Sequence, residues 1–213
     1  YIMDWEIISY ENEKFNELMQ QYEAAIKIIK TKLELIDQEL NFKYGHSPIH
    51  GIQYRIKSIE SIKGKLKRKK LDQTVAAIKK LYDIAGIRVI CNYLNDIQYI
   101  AQLLVNQDDI TQIKHSNYIQ YPKNNGYRSF HLIVSVPVYQ KDGKINVPVE
   151  IQIRTIAMDC WASLEHELCY KNESKTNNDI KIRLKECADK MAQTDLEMQK
   201  IYLEINRPWD GNR

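Results

Sequence analysis

The stretch HLIVSVPVYQKDGKINVPVEIQIRT, residues 131–155, indicates the fold class more clearly than any other part of the chain. Both of its ends are rich in β-branched residues, which favours two strands. Lys141-Asp142-Gly143-Lys144 lies between them and predicts a hairpin turn, because glycine readily adopts a positive φ. Pro137 and Pro148 cannot donate a ladder hydrogen bond, so they predict edge positions or bulges in this pair.

Polar and apolar residues alternate along the second strand of this hairpin. Glu150, Gln152 and Arg154 alternate with two isoleucines, so the period of two places the three polar side chains on one face of the sheet. Polar groups in the middle of a buried strand need a partner. A bound nucleotide with a metal ion would supply one, and a solvent-facing side of an edge sheet is the alternative.

Helical periodicity precedes and follows the strands. We predict an N-terminal helix over about 13–45, a basic helix over about 56–70, a short helix over 74–82, a buried strand over 87–93, a helix capped by Asp96 and ending near 105, a short strand over 110–114, the two hairpin strands, a helix over 156–170 and, after a polar break, a C-terminal helix over 179–205. This order favours an α+β fold with one mixed sheet flanked by helices.

Composition describes an ordinary globular protein and excludes little. The chain has 213 residues, a net charge of +3 and 28% charged residues, which fits one domain over residues 1–213. Its four cysteines show no CxxC pair, which predicts reduced thiols in the cytoplasm. No apolar run approaches the roughly 20 residues that span a bilayer, so we expect no membrane association.

A basic cluster follows the N-terminal helix. Its members are Arg55, Lys57, Ser61, Lys65 and Arg68. The last three recur on one face of the predicted helix, where clustered cations could hold a triphosphate. A solvated helix face is the alternative. Downstream, Asp83 opens a strand and could hold Mg²⁺, while Arg88 on that strand could contact a phosphate; a surface salt bridge beside a glycine turn is again the alternative.

The loop YPKNNGYRSFH, residues 121–131, leads directly into the first hairpin strand. Loops held by strands are common positions for functional side chains. An aromatic residue such as Tyr127 could stack on a base, and such stacking contributes about 1–3 kcal/mol in single-strand binding. A turn with a tyrosine packed in the core is the alternative.

Taken together, these segments resemble the synthetase domain of the RelA/SpoT family, and most closely its small, stand-alone, RelQ-like alarmone synthetases. The resemblance runs from about residue 15 to 205. The motifs that carry it are HSPI at 46–49, RIKSIESIKGKLKRK at 55–69, DIAGIRV at 83–89, YPKNNGYRSFHLIVSVPVY at 121–139 and VEIQIRTIAMDCWASLEHELCYK at 149–171.

The resemblance implies a nucleotidyltransferase-like mixed sheet with a catalytic core over 55–171, and transfer of pyrophosphate from ATP to the 3′-hydroxyl of GMP, GDP or GTP. By that match Asp83 and Glu150 are the catalytic and Mg²⁺-binding residues. The implied ATP site consists of Arg55, Lys57, Ser61, Lys65, Arg68 and Arg88. The implied guanine-nucleotide site consists of Lys123, Asn125, Tyr127, His131 and Gln152.

The family also implies a homotetramer around a cleft where the product activates the enzyme. This chain has Glu34, Gly51 and Asp159 where some relatives have a cation, an aromatic residue and an amide. Both acids would repel a polyphosphate, so we expect product activation to be weakened or lost. The alternative function is a regulatory protein that binds single-stranded RNA with little synthetase activity, since a basic helix near tyrosines suits that ligand.

Overall fold

The computed structural model describes residues 3–170 and 177–206. The helices are α1 (Met3–Tyr44), α2 (Ile59–Arg68), α3 (Val75–Ile78), α4 (Leu94–Val105), α5 (Ile156–Glu165), which continues into a π-helical turn (His166–Tyr170), and α6 (Asn178–Ile205). The strands are β1 (Ile49–Ile56), β2 (Ala85–Cys91), β3 (Thr111–Asn117), β4 (Phe130–Gln140) and β5 (Gly143–Thr155). Across the described ranges, no helix combines the length and apolar character that crossing a membrane requires.

The five strands form one mixed sheet in the order β1-β2-β5-β4-β3. The β4–β5 hairpin is antiparallel, and β2 lies parallel to β5. Within β5 only residues 149–155 pair with β2, and within β4 only residues 130–135 pair with β3. Pro137 and Pro148 therefore lie in the part of the hairpin that projects beyond its neighbours, where a missing N–H costs no ladder bond.

The core lies between one face of the sheet and the long helix α1. Tyr22, Ile29 and Leu33 of α1 are fully buried and belong to the same cluster as Val149 and Ile151 of β5. α4 covers the same sheet, and α6 packs against α5 and α4. Because successive strand residues point to opposite faces, this packing leaves the side chains of Glu150 and Gln152 on the other face. The α+β prediction with long terminal helices is confirmed.

The predicted helix over 56–70 was wrong at its beginning. Residues 49–56 form the edge strand β1, so Arg55 lies on a strand, and α2 begins only at Ile59 with Ser58 as its N-cap. The sequence of β1 shows no alternation because an edge strand is largely exposed on both faces, and its pairing with β2 determines its conformation.

Two smaller predictions also need correction. Asp96 does not cap α4 from outside; it is the third helical residue, and its carboxylate accepts a hydrogen bond from the Tyr93 N–H at 3.0 Å. Its other oxygen lies 2.8 Å from His46 Nε2. The helix predicted over 156–170 changes to π-helical geometry at His166. Residue 171, the end of the predicted core, and most of the polar break lie outside the described residues, as do the ends of the predicted domain.

Candidate active site

The open face of the sheet carries a pocket of about 100 Å³ where β1, β2 and β5 lie side by side. The residues that line it are Gln53, Tyr54, Arg55, Asp83, Gly86, Ile87, Arg88, Glu150 and Gln152. Gly86 and Glu150 are direct partners in the parallel β2–β5 ladder, and Asp83 comes three residues before Gly86. Five of the predicted site residues therefore line one pocket: Arg55, Asp83, Arg88, Glu150 and Gln152.

Asp83 lies at one side of this pocket between two lysines. Its Oδ2 accepts a hydrogen bond from Lys57 Nζ at 2.7 Å and is paired with Lys65 Nζ. Burial alone would raise the pKa of Asp83, but the hydrogen bonds from Lys57 and Lys65 outweigh it and hold the pKa below its ordinary value. Oδ1 is buried and has no hydrogen-bond partner. The carboxylate is thus ionised, with one oxygen available for a ligand.

Glu150 supplies the second carboxylate of the pocket. Its Oε2 accepts a hydrogen bond from Gln152 Nε2 at 3.1 Å, and its Oε1 lies 3.5 Å from His131 Nδ1. Burial and the nearby charge of Asp83 raise the pKa of Glu150, whereas the contacts with His131 and Gln152 lower it, and the net pKa lies below its ordinary value. Glu150 is therefore ionised at neutral pH and can accept a proton or a cation.

Tyr127 and His131 adjoin Glu150 on the side away from Asp83's lysines. Tyr127 Oη lies 2.8 Å from His131 Nε2 and accepts a hydrogen bond from Arg154 Nη2 at 2.7 Å. Tyr118 contacts both rings edge-on, with centroids 6.1 Å from Tyr127 and 5.1 Å from His131. These side chains form a half-buried aromatic surface beside the carboxylate, which could receive a planar base.

The loop before β4 holds the remaining predicted acceptor residues. Lys123 Nζ lies 4.8 Å from the ring centroids of both Tyr118 and Tyr127. Asn125 Oδ1 accepts a hydrogen bond from the Tyr127 N–H, so this side chain also stabilises the turn. Gly126 has a φ of +93°, and a Cβ there would lie 2.6 Å from Ala188 Cβ of α6. The loop can therefore pack against α6 only with glycine at this position.

The cations predicted to bind a triphosphate divide into two groups. Arg55 and Arg88 line the pocket directly, whereas Lys57 and Lys65 reach it through Asp83. Ser61 and Arg68 lie along α2 and are not among the lining residues; the Ser61 hydroxyl accepts a hydrogen bond from Ser58 in the N-cap turn. The structure thus brings together four of the six predicted ATP-site residues, and the other two lie on α2 without lining the pocket.

The two carboxylates suit a hard divalent cation. In the described ranges, no group of three or more histidine, cysteine, aspartate or glutamate side chains could hold a metal on its own. Mg²⁺ does not need such a group, because it usually keeps several waters and takes one or two carboxylates together with substrate phosphates. The unpartnered, buried Oδ1 of Asp83 and the ionised Glu150 fit that donor set.

Several residues of this site were not predicted from the sequence. Gln53 and Tyr54 line the pocket, but they lie in the strand that periodicity did not reveal. Arg154 was placed on the correct face, and the structure adds its partners: Asp159 at 3.0 Å, Tyr127 and Gln152. The local sequence pattern gave no signal of the contacts with Asp159 and Tyr127, because these two residues come from α5 and from the loop before β4.

Asp159 requires a correction to the expectation about product activation. Its Oδ1 contacts Arg154 Nη1 at 3.0 Å and Arg88 Nη1 at 3.2 Å, and its side chain is 14% exposed. Two guanidinium groups balance this charge, so Asp159 is not a free acid that would repel a polyphosphate. Glu34 lies 3.3 Å from Lys30, and a Cβ on Gly51 would meet open space. The predicted repulsion at Asp159 is therefore wrong, and at Glu34 it is reduced by the exposed pair with Lys30, while weakened product activation stays a prediction.

Comparison with known proteins gives consistent matches. Residues 54–175 match the family described as the region found in RelA and SpoT proteins. The GTP pyrophosphokinase YwaC of Bacillus subtilis strain 168 is 42% identical over 192 residues, which are 90% of this chain and 91% of YwaC. The crystal structure of small alarmone synthetase 1 from Bacillus subtilis bound to its product pppGpp superposes with a TM-score of 0.84 at 34% identity, covering 92% of this chain and all of that one. The same synthetase bound to AMPCPP gives a TM-score of 0.78 at 31% identity, with the same coverage of both chains.

Proposed function

The chain belongs to the family of RelA and SpoT proteins, and from this premise we propose that it is a GTP pyrophosphokinase. It transfers the β,γ-pyrophosphoryl group of ATP to the ribose 3′-oxygen of a guanine nucleotide and releases AMP. The similar GTP pyrophosphokinase YwaC, and the alarmone synthetase structures with pppGpp and AMPCPP, support this reaction for a chain that matches them over nearly its whole length.

One observation carries the proposal: two ionised carboxylates, Asp83 and Glu150, line the same pocket as two guanidinium groups, Arg55 and Arg88. A protein that only bound a polyanion would gain nothing from two carboxylates beside its cations, because they would repel the ligand. Phosphoryl-type transfer does use this combination, since cations neutralise the triphosphate while a carboxylate accepts the proton of the attacking hydroxyl.

We assign the donor site to the basic side of the pocket. Arg55 and Arg88 contact the ATP, and their planar donors match phosphate oxygens. Lys57 and Lys65 now bind Asp83. A bound cation at Asp83 would release their ammonium groups toward the phosphates. Ser61 and Arg68 extend the donor site along α2 only if the triphosphate reaches beyond the pocket.

We assign the acceptor site to the aromatic side. Tyr127 stacks on the guanine, and Lys123, Asn125, His131 and Gln152 surround the rest of the acceptor. The 3′-oxygen attacks the β-phosphorus of ATP while the bond from that phosphorus to the α,β-bridging oxygen breaks. The hydroxyl proton passes to Glu150, and the electron pair of the broken bond leaves with AMP. Arrangement and charge neutralisation account for most of the catalysis in such a transfer.

Asp83 and Glu150 would hold Mg²⁺. Its chemistry, when bound, is to neutralise the charge on the transferred phosphates and so make the phosphorus accessible to the hydroxyl. The residues of the chain orient the two nucleotides and take up the proton.

The test is direct. The purified protein is incubated with labelled ATP, Mg²⁺ and either GMP, GDP or GTP, and the nucleotides are separated. AMP should appear together with a 3′-pyrophosphorylated guanine nucleotide, and the relative rates reveal the preferred acceptor. Failure of transfer with all three acceptors, also after addition of the product, would remove the main support for the proposal.

Several properties remain proposals from the family: a homotetramer, a cytoplasmic location and a role in the stringent response. Side chains on α6 that support self-association are exposed and apolar, such as Leu196, Ile201 and Ile205. Light scattering during gel filtration measures the mass. Binding of single-stranded RNA stays open as an additional property, but it finds less support as the sole function, because Lys57 and Lys65 of the basic cluster are paired with Asp83.

A further inference from the structure

Arg154 is the most deeply buried charge beside the proposed active site. Its residue is 4% exposed, and its guanidinium contacts four side chains. Nη1 contacts Asp159 at 3.0 Å and Nε contacts Ser129 Oγ at 3.4 Å. Nη2 donates to Tyr127 Oη at 2.7 Å and to Gln152 Oε1 at 2.8 Å, so both of its hydrogens are engaged. The proposed chemistry assigns Arg154 no contact with either nucleotide.

The contact with Gln152 fixes the orientation of an amide. Arginine has donors only, so the amide oxygen of Gln152 must face Arg154. The amide nitrogen then faces Glu150, where it donates to Oε2 at 3.1 Å. If Gln152 rotated by half a turn, its oxygen would face the carboxylate and repel it. Arg154 therefore determines that Gln152 presents a donor to Glu150.

The contact with Tyr127 likewise orients a donor toward Oε1, the other carboxylate oxygen of Glu150. Tyr127 Oη accepts from Arg154, so its single hydrogen is available for His131 Nε2 at 2.8 Å. A neutral imidazole that accepts at Nε2 carries its proton on Nδ1. Nδ1 is the nitrogen that faces Glu150 Oε1, at 3.5 Å. Hydrogen bonds thus run from Arg154 through Tyr127 to His131, and a longer polar contact of 3.5 Å joins His131 to Glu150.

We infer that Arg154 is a positioning residue which sets the direction of the two paths of polar contacts that converge on Glu150, one through Tyr127 and His131 and one through Gln152. Gln152 Nε2 donates to one oxygen of Glu150 and His131 Nδ1 faces the other at 3.5 Å, so the carboxylate is held between these two side chains. The same guanidinium holds Tyr127, whose ring is the proposed guanine platform. Arg154 thereby positions both the platform for the guanine nucleotide and Glu150, the proposed general base. Only the expected effect on turnover rests on the proposed function.

Asp159 holds the guanidinium of Arg154 in place. Its Oδ1 bridges Arg154 and Arg88, which would otherwise repel each other.

Lysine cannot replace Arg154, because one ammonium on a flexible stem cannot provide directed donors on three separate nitrogens. Tyr127→Phe removes the hydroxyl from one path and retains the ring. Arg183→Lys is the matched control, since this arginine is on the exposed surface of α6, with its side chain 73% exposed.

The first experiment does not depend on turnover. Histidine side chains are labelled with ¹⁵N, and the ring shifts are recorded in alkaline buffer where imidazole is neutral; there are five histidines, and loss of one signal in His131→Asn identifies the residue. We expect the proton on Nδ1 of His131 in the parent protein and in Arg183→Lys. We expect a shift toward the Nε2–H tautomer in Tyr127→Phe. A parent ring protonated on Nε2 would overturn the inference, even if the protein proved not to be a pyrophosphokinase.

The second experiment measures kcat and KM. For Arg154→Lys we expect a kcat about 100-fold lower, the usual effect of losing an oriented donor near the reacting groups, with the KM for ATP changed less than about twofold. For Tyr127→Phe we expect kcat about 10-fold lower and a nearly unchanged KM for the guanine nucleotide, because the ring remains. In the double variant the second change should add little. A folded Arg154→Lys with the kcat of the parent, or full additivity, would contradict the inference; if Arg154→Lys does not fold, the tautomer and kcat of Tyr127→Phe decide.

Discussion

Replacement of Glu150 by Gln separates catalysis from stability at the centre of the proposed site. The amide has nearly the same shape as the carboxylate but cannot take up the hydroxyl proton. General-base catalysis contributes about 10²- to 10⁴-fold, so we expect kcat to fall by that factor, equivalent to about 2.7–5.5 kcal/mol of the activation barrier. The assay is the initial rate of AMP formation at saturating ATP and guanine nucleotide.

The same substitution, Glu150→Gln, should cost less in stability than in catalysis. The new amide nitrogen would face a donor, either His131 Nδ1 or Gln152 Nε2, and that donor would lose its charged acceptor. This costs about 1.5–3 kcal/mol, partly offset because the charge repulsion with Asp83 disappears. A net loss of about 1–2 kcal/mol lowers Tm by roughly 2–8 °C in a chain of this size.

The control is Glu204→Gln on the exposed surface of α6, for which neither kcat nor Tm should change. A Glu150→Gln enzyme that is folded and retains kcat within about threefold of the parent would refute the reasoning, because a general base cannot be removed at so small a cost. A variant that loses activity only because it unfolds would show a loss of Tm well beyond the range given above.

Three further results are expected. Asp83→Asn should abolish transfer at every Mg²⁺ concentration, because the free Oδ1 is the proposed ligand; full activity restored by excess Mg²⁺ would speak against that role. Gly126→Ala should lower the free energy of unfolding by at least about 1 kcal/mol, since φ is +93° and the new Cβ would overlap Ala188. Gly64→Ala in α2 places its Cβ in open space and should stabilise the protein slightly. Denaturant unfolding of both variants measures these differences. Burial raises the pKa of Asp195, so the native state binds the proton more tightly than the unfolded chain. The destabilisation that this ionised acid causes is therefore complete at neutral pH and disappears as the pH falls through its unfolded-state pKa. Asp195→Asn should unfold at higher urea than the parent at neutral pH, with a difference that shrinks on acidification, and a constant difference would contradict this account.

The sequence predicted the elements that are periodic or locally signalled. The β4–β5 hairpin followed from two β-branched runs around a glycine turn, and the common face of Glu150, Gln152 and Arg154 followed from the period of two. These features depend on near neighbours in the chain, so they can be seen without a structure. β1 was missed because an exposed edge strand has no alternation and is determined by its pairing with β2.

The partners within the site could not be predicted for a different reason. Asp159 contacts both Arg88 and Arg154, and these three residues come from α5, β2 and β5. Nothing in the local pattern of α5 distinguishes an acid that bridges two arginines from one that faces solvent. The resemblance to a family predicted site residues but not their contacts with one another, and for that reason the charge repulsion predicted at Asp159 was wrong.

The central claim is that the pocket of Asp83 and Glu150 transfers an intact pyrophosphoryl group to a guanine nucleotide. It is tested most directly by running the reaction with ATP labelled at the γ-phosphorus in one sample and at the α-phosphorus in another. We expect the γ-label in the 3′-modified guanine nucleotide and the α-label in AMP, in equal amounts. An α-label in the guanine product, a γ-label in free phosphate alone, or no transfer from either ATP would contradict the account.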